Sequence, residues 1–499
     1  MKTVILIAVL IDLATFSASS QNRSAIWQLG RVNVSTGYSY YLDFSNSTVD
    51  TGILSRNLKF FITNASICDT SGALLFYTNG VWVANKNHDT LFNSQDFNPG
   101  FWTEFYGDDG LGIPQASLFL PNTQDENEYL LIHLSGEYDT FYNQIFSPVR
   151  LGLSLINLSA DGGLGGITPE FKNLTLVEDT LEWGRLTACK HANGRDWWLI
   201  THKFHSDLYY KVSILPDTIL VFQQQIGNVF TSYNAGGMAL FSPDASKYVH
   251  LNMNDTIDLL NFDRCTGEFS NFVELSVPDT GILSSTLGGS FSPNNRFLYV
   301  STYLSLYQFD TWANDIQASM LKVGSWEDQT GWPDWFFLHQ LAPDGKIYIS
   351  LFNGDHWLHV INDPDSLGVS CNFVQGGLIL PQVATNNSLP NLPNYDLGPL
   401  QGSPCDTVYT SNPNSSIIST LFKLSPNPVS DWLNINYSIR EDCQLYLYNM
   451  NGEQVAAISL FPYFKSRLLN VSHLPSGIYI AIVACKGEQI WSEKVVVKR

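Results

Sequence analysis

The chain has 499 residues, with 26 Lys and Arg against 46 Asp and Glu, for a formal net charge of −20. Hydrophobic residues make up 44% and aromatics 13%, enough to bury a large core and to exclude a wholly disordered chain. The acidic balance excludes a nucleic-acid partner, which needs concentrated Lys and Arg, and no apolar run reaches the roughly 18–20 residues that span a bilayer.

Residues 1–20 read as an export signal. Lys2 supplies the positive start, Val4 to Ile11 the apolar core, and Ala18-Ser19-Ser20 a small-residue cleavage site before Gln21. Asp12 ends the apolar stretch too early for a membrane anchor.

From residue 22 to about 398 the chain repeats itself. Phe241-Ser-Pro-Asp-Ala-Ser-Lys-Tyr-Val249, Phe291-Ser-Pro-Asn-Asn-Arg-Phe-Leu-Tyr-Val300 and Leu341-Ala-Pro-Asp-Gly-Lys-Ile-Tyr-Ile349 start 50 residues apart. Further copies lie at His191-Ala-Asn-Gly194, Leu120-Pro-Asn-Thr123 and Cys68-Asp-Thr-Ser-Gly72. In each, Pro, Asp, Asn or Gly suits a tight turn, and the β-branched or aromatic residues that follow suit a strand. Short strands between turns, with no helical period, predict an all-β fold. A hairpin unit of about 50 residues predicts a β-propeller of about seven four-stranded blades. Only six turn motifs are visible, so the seventh blade is expected to be closed by strands from both ends. Ile26-Trp-Gln-Leu29 and Tyr40-Tyr-Leu-Asp-Phe44 would supply the N-terminal share.

Residues 399–420 read as a linker rich in Pro, Ser and Gly. Charge changes sign there: residues 421–499 hold 8 basic and 6 acidic side chains, against 18 and 40 before them. Short strands alternating with Asn-Pro, Asn-Gly and Ser-Gly turns predict a small C-terminal β-sandwich over 421–499. The seven cysteines suit an oxidising destination, and the odd count leaves at least one unpaired; no CxxC or CxxxC spacing suggests zinc. Disulfides and small buried hydrophobes stay equally open as readings of the rest.

The tail resembles the type A C-terminal sorting domain of the Bacteroidetes type IX (Por) secretion system. The resemblance rests on Leu424-Ser-Pro-Asn-Pro-Val-Ser-Asp-Trp-Leu433, Leu447-Tyr-Asn-Met-Asn-Gly452, Leu474-Pro-Ser-Gly-Ile-Tyr-Ile480 and Lys494-Val-Val-Val-Lys-Arg499. It implies Pro426, Asn427, Pro428, Asp431, Gly452, Leu474, Gly477, Tyr479, Lys494 and Lys498 as sorting-signal residues. It also implies the type IX machinery as partner and a secreted or cell-surface destination, reached by Sec export and then type IX export. Residues 26–397 resemble propeller-like proteins of the same bacterial group, in segments such as Asp263-Arg-Cys-Thr-Gly267, Cys371-Asn-Phe373 and Leu389-Pro-Asn-Leu-Pro393. Cys265 and Cys371 are therefore the cysteines most expected to hold structural places.

No nucleophile elbow, HExxH, Walker loop or dinucleotide fingerprint occurs. Asp108 and Asp109 between glycines read as a solvated turn. His202 with His205, and His356 with His359, are spaced so that a strand puts each pair on opposite faces, which disfavours a shared metal. No cofactor is expected; calcium would suit an acidic exported domain, but no EF-hand spacing supports it. Trp326, Trp332 and Trp335 are candidate ligand-contact aromatics, against the competing reading that they plug the gap between blades.

The expected function is a ligand-binding or adhesion module facing an extracellular glycan or protein. The alternative is an extracellular hydrolase or lyase working on glycans or peptides at the propeller channel. Convergence of three or more of Asp108, Asp109, His191, His202, His339 and His356 at one channel mouth would favour the enzyme.

Overall fold

The computed structural model describes residues 22–499 except 32–36, 47, 140–144, 217, 230–236, 253–255, 280–284, 329–330, 332–333, 382–386, 407–421, 440–441 and 487. The export signal, Trp332 and most of the linker lie outside the described residues. Within them the protein is nearly all β, with one short α-helix, Phe101–Tyr106.

Seven antiparallel sheets follow one another before residue 400. Sheet 1 comprises Ile26–Leu29, Tyr38–Asp43 and Asp50–Ser55, and sheet 2 Ala65–Cys68, Leu74–Thr78 and Val83–Asn85. Sheet 3 is the largest, running Ser117–Pro121, Glu128–Asp139 and Ile145–Asn157 with two short additions, Gly166–Ile167 and Leu174–Glu178. Sheets 4 to 7 are four-stranded meanders that begin at Thr187–Lys190, Ala239–Phe241, Gly288–Phe291 and Phe336–Leu341.

The six repeated turns join the first two strands of sheets 2 to 7, and one hydrogen bond explains their recurrence. The side-chain Oδ1 of Asp69, Asp125, Asn193, Asp244, Asn294 and Asp344 accepts from the backbone N–H two residues on, at 2.8–3.1 Å. That bond closes the turn without help from the rest of the fold.

First strands of sheets 1 to 3 are neighbours in turn, as are those of sheets 4 to 7, and the sheets stand in a propeller-like arrangement. The spacing there is tight: a Cβ on Gly288 would lie 1.9 Å from the Phe337 carbonyl oxygen, so only glycine lets sheets 6 and 7 approach this closely. The last sheet meets the first, with Tyr348 6.0 Å from Trp27 and 5.6 Å from Phe44, ring to ring, inside one buried apolar cluster.

Closure differs from the expectation of a shared blade. Among the described residues, sheet 1 holds only N-terminal strands. Residues 387–397 enter the centre as an extended segment with no strand pairing. Asn64 explains the difference: its Nδ2 donates to the Gln28 carbonyl (2.8 Å), occupying the strand edge that a C-terminal partner would have used.

Residues 422–499 form two further sheets. One joins Phe422–Ser425, Trp432–Tyr437 and Ser466–Asn470. The other joins Gln454–Leu460, Cys443–Asn449, Gly477–Cys485 and Glu488–Val497. Leu433, Ile435, Leu445, Val483 and Val495 from both sheets share one buried cluster. This unit packs on the ring. Ser466 Oγ donates to the Ile219 carbonyl on the outer strand of sheet 4 (3.4 Å), and the Trp432 and Tyr463 rings lie 5.9 and 5.3 Å from Tyr210 and Phe171. An edge strand is thereby covered.

Two disulfides are present, Cys265–Cys405 and Cys443–Cys485. Cys68, Cys189 and Cys371 are buried free thiols. Cys371 packs among Phe297, Phe336 and Ile361, the small-hydrophobe role.

Candidate functional site: the centre of the ring

A cavity of about 280 Å³ lies where the inner strands meet. Its walls come from sheets 4 to 7, from Gln115 just before sheet 3, from Asn22, Ser24, Ala25 and Phe44 beside sheet 1, and from residues 391–397.

Two amides span the centre. Gln115, just before Ser117–Pro121, makes a double bond pattern to one residue of sheet 5: its Nε2 donates to the Ala239 carbonyl (2.9 Å) and its Oε1 accepts from Ala239 N–H (2.8 Å). The backbone N–H of Asn391 donates to the Asn64 carbonyl (2.9 Å), and its Nδ2 donates to the carbonyls of Ser117 (3.1 Å) and Leu186 (2.9 Å). Asn391 thus bonds the chain beside sheets 2, 3 and 4. Tyr395 Oη donates to Phe119 O (2.9 Å) and Asn394 Nδ2 to Pro243 O (2.8 Å), so the segment crosses the ring tied to its rim. These bonds satisfy inner-strand carbonyls that would otherwise be buried without partners.

The cavity surface is mixed. Phe44, Phe291, Met238 and Tyr395 supply apolar area, while Thr187, Ser290 and Gln340 supply neutral polar groups. Among the described residues, His339 is the one histidine in the wall. Its Nε2 lies 2.8 Å from Ser301 Oγ, and its Nδ1 has no hydrogen-bond partner. Burial pushes its pKa down to about 3, with His359 adding to the effect, so the ring is neutral. The Cys189 thiol in the wall is held well above its usual pKa by burial and stays an unreactive SH.

The other sequence candidates are scattered. Asp109 pairs with Lys59 (3.1 Å) and Arg31 (3.5 Å) at the surface, and Asp108 sits beside it in the same short turn. His191 belongs to the first turn of sheet 4, its Nε2 3.1 Å from the Cys265 carbonyl. His356 bonds its neighbour Asp355. His202 is buried between sheets 4 and 5 beside Glu182, Tyr209 and His250, and burial pushes its pKa down to about 3. Of the six residues weighed for a shared channel mouth, only His339 lines the cavity. His205 stacks on Phe204, and His359 accepts from Gly376 N–H (3.1 Å). Among the described residues no group of three or more His, Cys, Asp or Glu side chains could hold a metal ion.

The aromatics are held in place. Trp326 and Trp357 both donate their indole N–H to the buried carboxylate of Asp334, at 2.7 and 3.0 Å. Trp335 packs against Tyr303 (5.4 Å) and Phe352 (6.4 Å). Trp326 and Trp335 are each half-buried.

Sequence reasoning missed Gln115 and Asn391. Asn391 carried a signal, since Leu389-Pro-Asn-Leu-Pro393 stood out as an echoed segment. Gln115 carried none, because its partner lies in a sheet far along the chain. A fully buried Glu182–Arg185 pair at 2.5 Å was also missed.

The residues expected to carry the sorting signal lie in the tail unit. Asn427 Nδ2 donates to Lys494 O (2.7 Å) and its Oδ1 accepts from Val496 N–H (2.9 Å), while Pro426 and Pro428 flank it on cis peptides. Val429 N–H donates to Val496 O (2.8 Å) and Lys498 N–H to Val429 O (2.9 Å), joining the first strand region to the last. Tyr479 Oη donates to Pro475 O (2.8 Å), Leu474 is buried, and Gly452 takes the left-handed φ of +81° that its turn requires. Gly477 opens the strand Gly477–Cys485. Asp431 pairs with Arg499 at 3.1 Å.

Fold and site together define a propeller-like ring with a crossed centre, followed by a two-sheet tail unit. A family described as a secretion system C-terminal sorting domain matches residues 423–498. The match supports a type IX sorting domain over these residues, interaction with that machinery, and export to the cell surface or beyond. A search of the curated proteins found no match. Among solved structures, the chain is similar to a putative 6-phosphogluconolactonase from Bacteroides uniformis, at 12% identity and a TM-score of 0.41, covering 73% of this chain and 98% of that one. It is also similar to AztD of Citrobacter koseri (11% identity, TM-score 0.36, 72% and 88% covered). A β-propeller domain from Myceliophteria thermophila gives 9% identity and a TM-score of 0.36, with 65% and 93% covered. Likeness at this level carries no argument about activity.

Proposed function

We propose that the protein is an exported ligand-binding module. In this reading residues 22–398 form a seven-bladed propeller, residues 399–420 the connection, and residues 421–499 a sorting sandwich. The observation that carries the reading is the cavity at the centre of the ring, built by four sheets, Gln115 and the crossing segment 391–397. Its wall holds one histidine, neutral and buried, and one exposed carboxylate, Asp396, while the other acid–base candidates weighed from the sequence lie elsewhere. That dispersal supports binding over the hydrolase or lyase reading, because acid–base chemistry needs groups within reach of one substrate.

The test has two arms. Cells expressing the full chain, or a chain ending at residue 420, are fractionated and probed for the ring. Surface or medium location of the full chain only is expected; equal export of both would remove the sorting role. The purified full chain is then screened for binding and for turnover against extracellular glycans and peptides. Binding without turnover is expected, and turnover would replace this reading with the enzyme.

A further inference from the structure

We propose that the outward face of the tail's four-stranded sheet, centred on Tyr446, Tyr448, Ile480 and Ile482, is the surface by which the tail docks on a protein of the export machinery. The inference rests on the sorting reading of residues 423–498 and names the face that serves it.

The strand Gly477–Cys485 reads Gly-Ile-Tyr-Ile-Ala-Ile-Val-Ala-Cys, apolar at nearly every position. An antiparallel strand with one face in water is expected to alternate apolar with polar, and an unbroken apolar run marks a strand covered on both faces. Tyr479, Ala481, Val483 and Cys485 are buried in the cluster that both tail sheets share. Ile478, Ile480 and Ile482 take the opposite face, and none of them is buried.

Neighbouring strands extend that face. Their register sets Tyr446 opposite Ile482 and Tyr448 opposite Ile480 on one side, and Lys494 opposite Ile480 on the other. Residues paired across antiparallel strands share a face, so these side chains form one patch. The rings of Tyr446 and Tyr448 lie 6.2 Å apart within it. Ile478 is 42% exposed, Tyr446, Tyr448, Ile480 and Ile482 are half-buried, and none of the five joins an apolar cluster among the described residues. Lys494 is exposed at the margin.

The other faces of the tail unit are already engaged. Its two sheets bury their inner faces against each other, and the three-stranded sheet lies on the ring, with Ser466–Asn470 against Leu174–Glu178 and Thr218–Gln225. The apolar patch is on the opposite side. Three of the four segments that carry the sorting resemblance build it: Leu447–Gly452 supplies Tyr448, Leu474–Ile480 supplies Ile478 and Ile480, and Lys494–Arg499 supplies Lys494. The family match over the same residues supports interaction with the type IX machinery, which makes a component of that machinery the occupant. Tyrosine and isoleucine at the centre with a lysine at the rim fit a partner surface that is apolar and sets a carboxylate against Lys494.

The test follows export of the full chain from cells that carry the type IX machinery. Ile480→Thr with Ile482→Thr removes apolar area from the patch and keeps β-branched side chains that suit a strand. The exported fraction is expected to fall about tenfold, as when central apolar contacts leave an interface, while the purified variant unfolds at the parental temperature. Leu367→Thr with Val369→Thr, exposed in sheet 7, removes apolar area from the ring and is expected to export as the parent does. Parental export of the tail variant, or equal loss from both variants, would overturn the docking face; if the chain ending at residue 420 is still retained, the sorting role stands. Equal export of parent and truncated chain would remove the sorting role, and this inference with it.

If the threonine variant unfolds below the parent, the contact is read without it. A photo-crosslinking benzophenone side chain in place of Ile482 is expected to form an adduct with a type IX machinery protein in living cells, and the same group in place of Val369 is not. An adduct with a second copy of the chain, or no adduct from the Ile482 position, would overturn the proposal.

Discussion

Cys405 is joined by a disulfide to Cys265, 140 residues before it in the chain. Cys265 sits in the turn between the last two strands of sheet 5, and Cys405 follows the segment that crosses the ring. Arg264, next to Cys265, donates from Nη2 to the Gly398 carbonyl (2.6 Å), and Leu400 N–H donates to the Ala192 carbonyl (2.8 Å). The exit of the crossing segment is therefore clamped at three points to sheets 4 and 5. Replacing Cys405 with Ser is expected to cost about 2–4 kcal/mol, since a long loop in the unfolded chain is released. Denaturant titration of the oxidised parent against the variant checks this. Identical midpoints would show that the clamp adds nothing to the two hydrogen-bonded points beside it.

Asn391 carries the centre of the ring. Asn391→Ala removes two donations, to Ser117 and Leu186, and leaves both carbonyls buried. At about 1 kcal/mol per bond plus the cost of unmet groups, a loss of about 2–4 kcal/mol is expected. Asn391→Asp should be at least as harmful, because a carboxylate cannot donate to either carbonyl. Thermal unfolding of the three proteins reads the difference.

Glu182 and Arg185 are both fully buried. Arg185→Met is expected to destabilise by about 3–5 kcal/mol, because it strands a buried carboxylate. The double change Glu182→Leu with Arg185→Met should recover a large part of that loss. A double-mutant cycle by chemical denaturation gives the coupling, and a double variant no better than the single one would refute it.

Acid should weaken the fold through buried histidines. Burial pushes His133 and His202 down to about 3 and His359 to about 4, and it depresses His250 as well. An unfolded imidazole takes its proton near pH 6.5. Between about pH 6.5 and 3 the unfolded chain therefore binds protons that the native state refuses, so stability falls as pH drops through that window. Each such histidine contributes at most about 1.4 kcal/mol per pH unit. Urea midpoints at pH 7, 6, 5 and 4 should decline steadily, and His133→Gln should flatten the slope. A midpoint unchanged between pH 6.5 and 4 would contradict the burial argument.

Arg499, the last residue, ties the tail unit together. Its Nη2 donates to the carbonyls of Val471 and Leu474 (2.8 Å each) and of Ser472, and its Nη1 donates to Ser430 O (2.6 Å). The pair with Asp431 is largely exposed and contributes little by itself. Arg499→Ala is expected to cost about 1–3 kcal/mol through the lost carbonyl contacts, and to lower the exported fraction. Export at the parental level from a tail with reduced stability would separate sorting from this clamp.

The repeated turns were legible in the sequence because each closes with a bond between residues two apart, as Asp244 does with Ser246 and Asp344 with Lys346. The β-rich character and the sorting motifs were legible for the same reason: they depend on neighbours along the chain. Three features required the tertiary structure. Asn64 occupies the edge of sheet 1, so residues 387–397 cross the centre instead of completing a strand pair. The tail unit packs on sheet 4, through Ser466 at its outer strand and Trp432 against Tyr210. The cavity gathers His339, Met238 and Tyr395 from distant stretches of chain. Turn chemistry is local and therefore written in short words of sequence. Which strand edge is filled, which face is covered and which residues share a void depend on how sheets close into a ring, and that closure is a property of the whole chain.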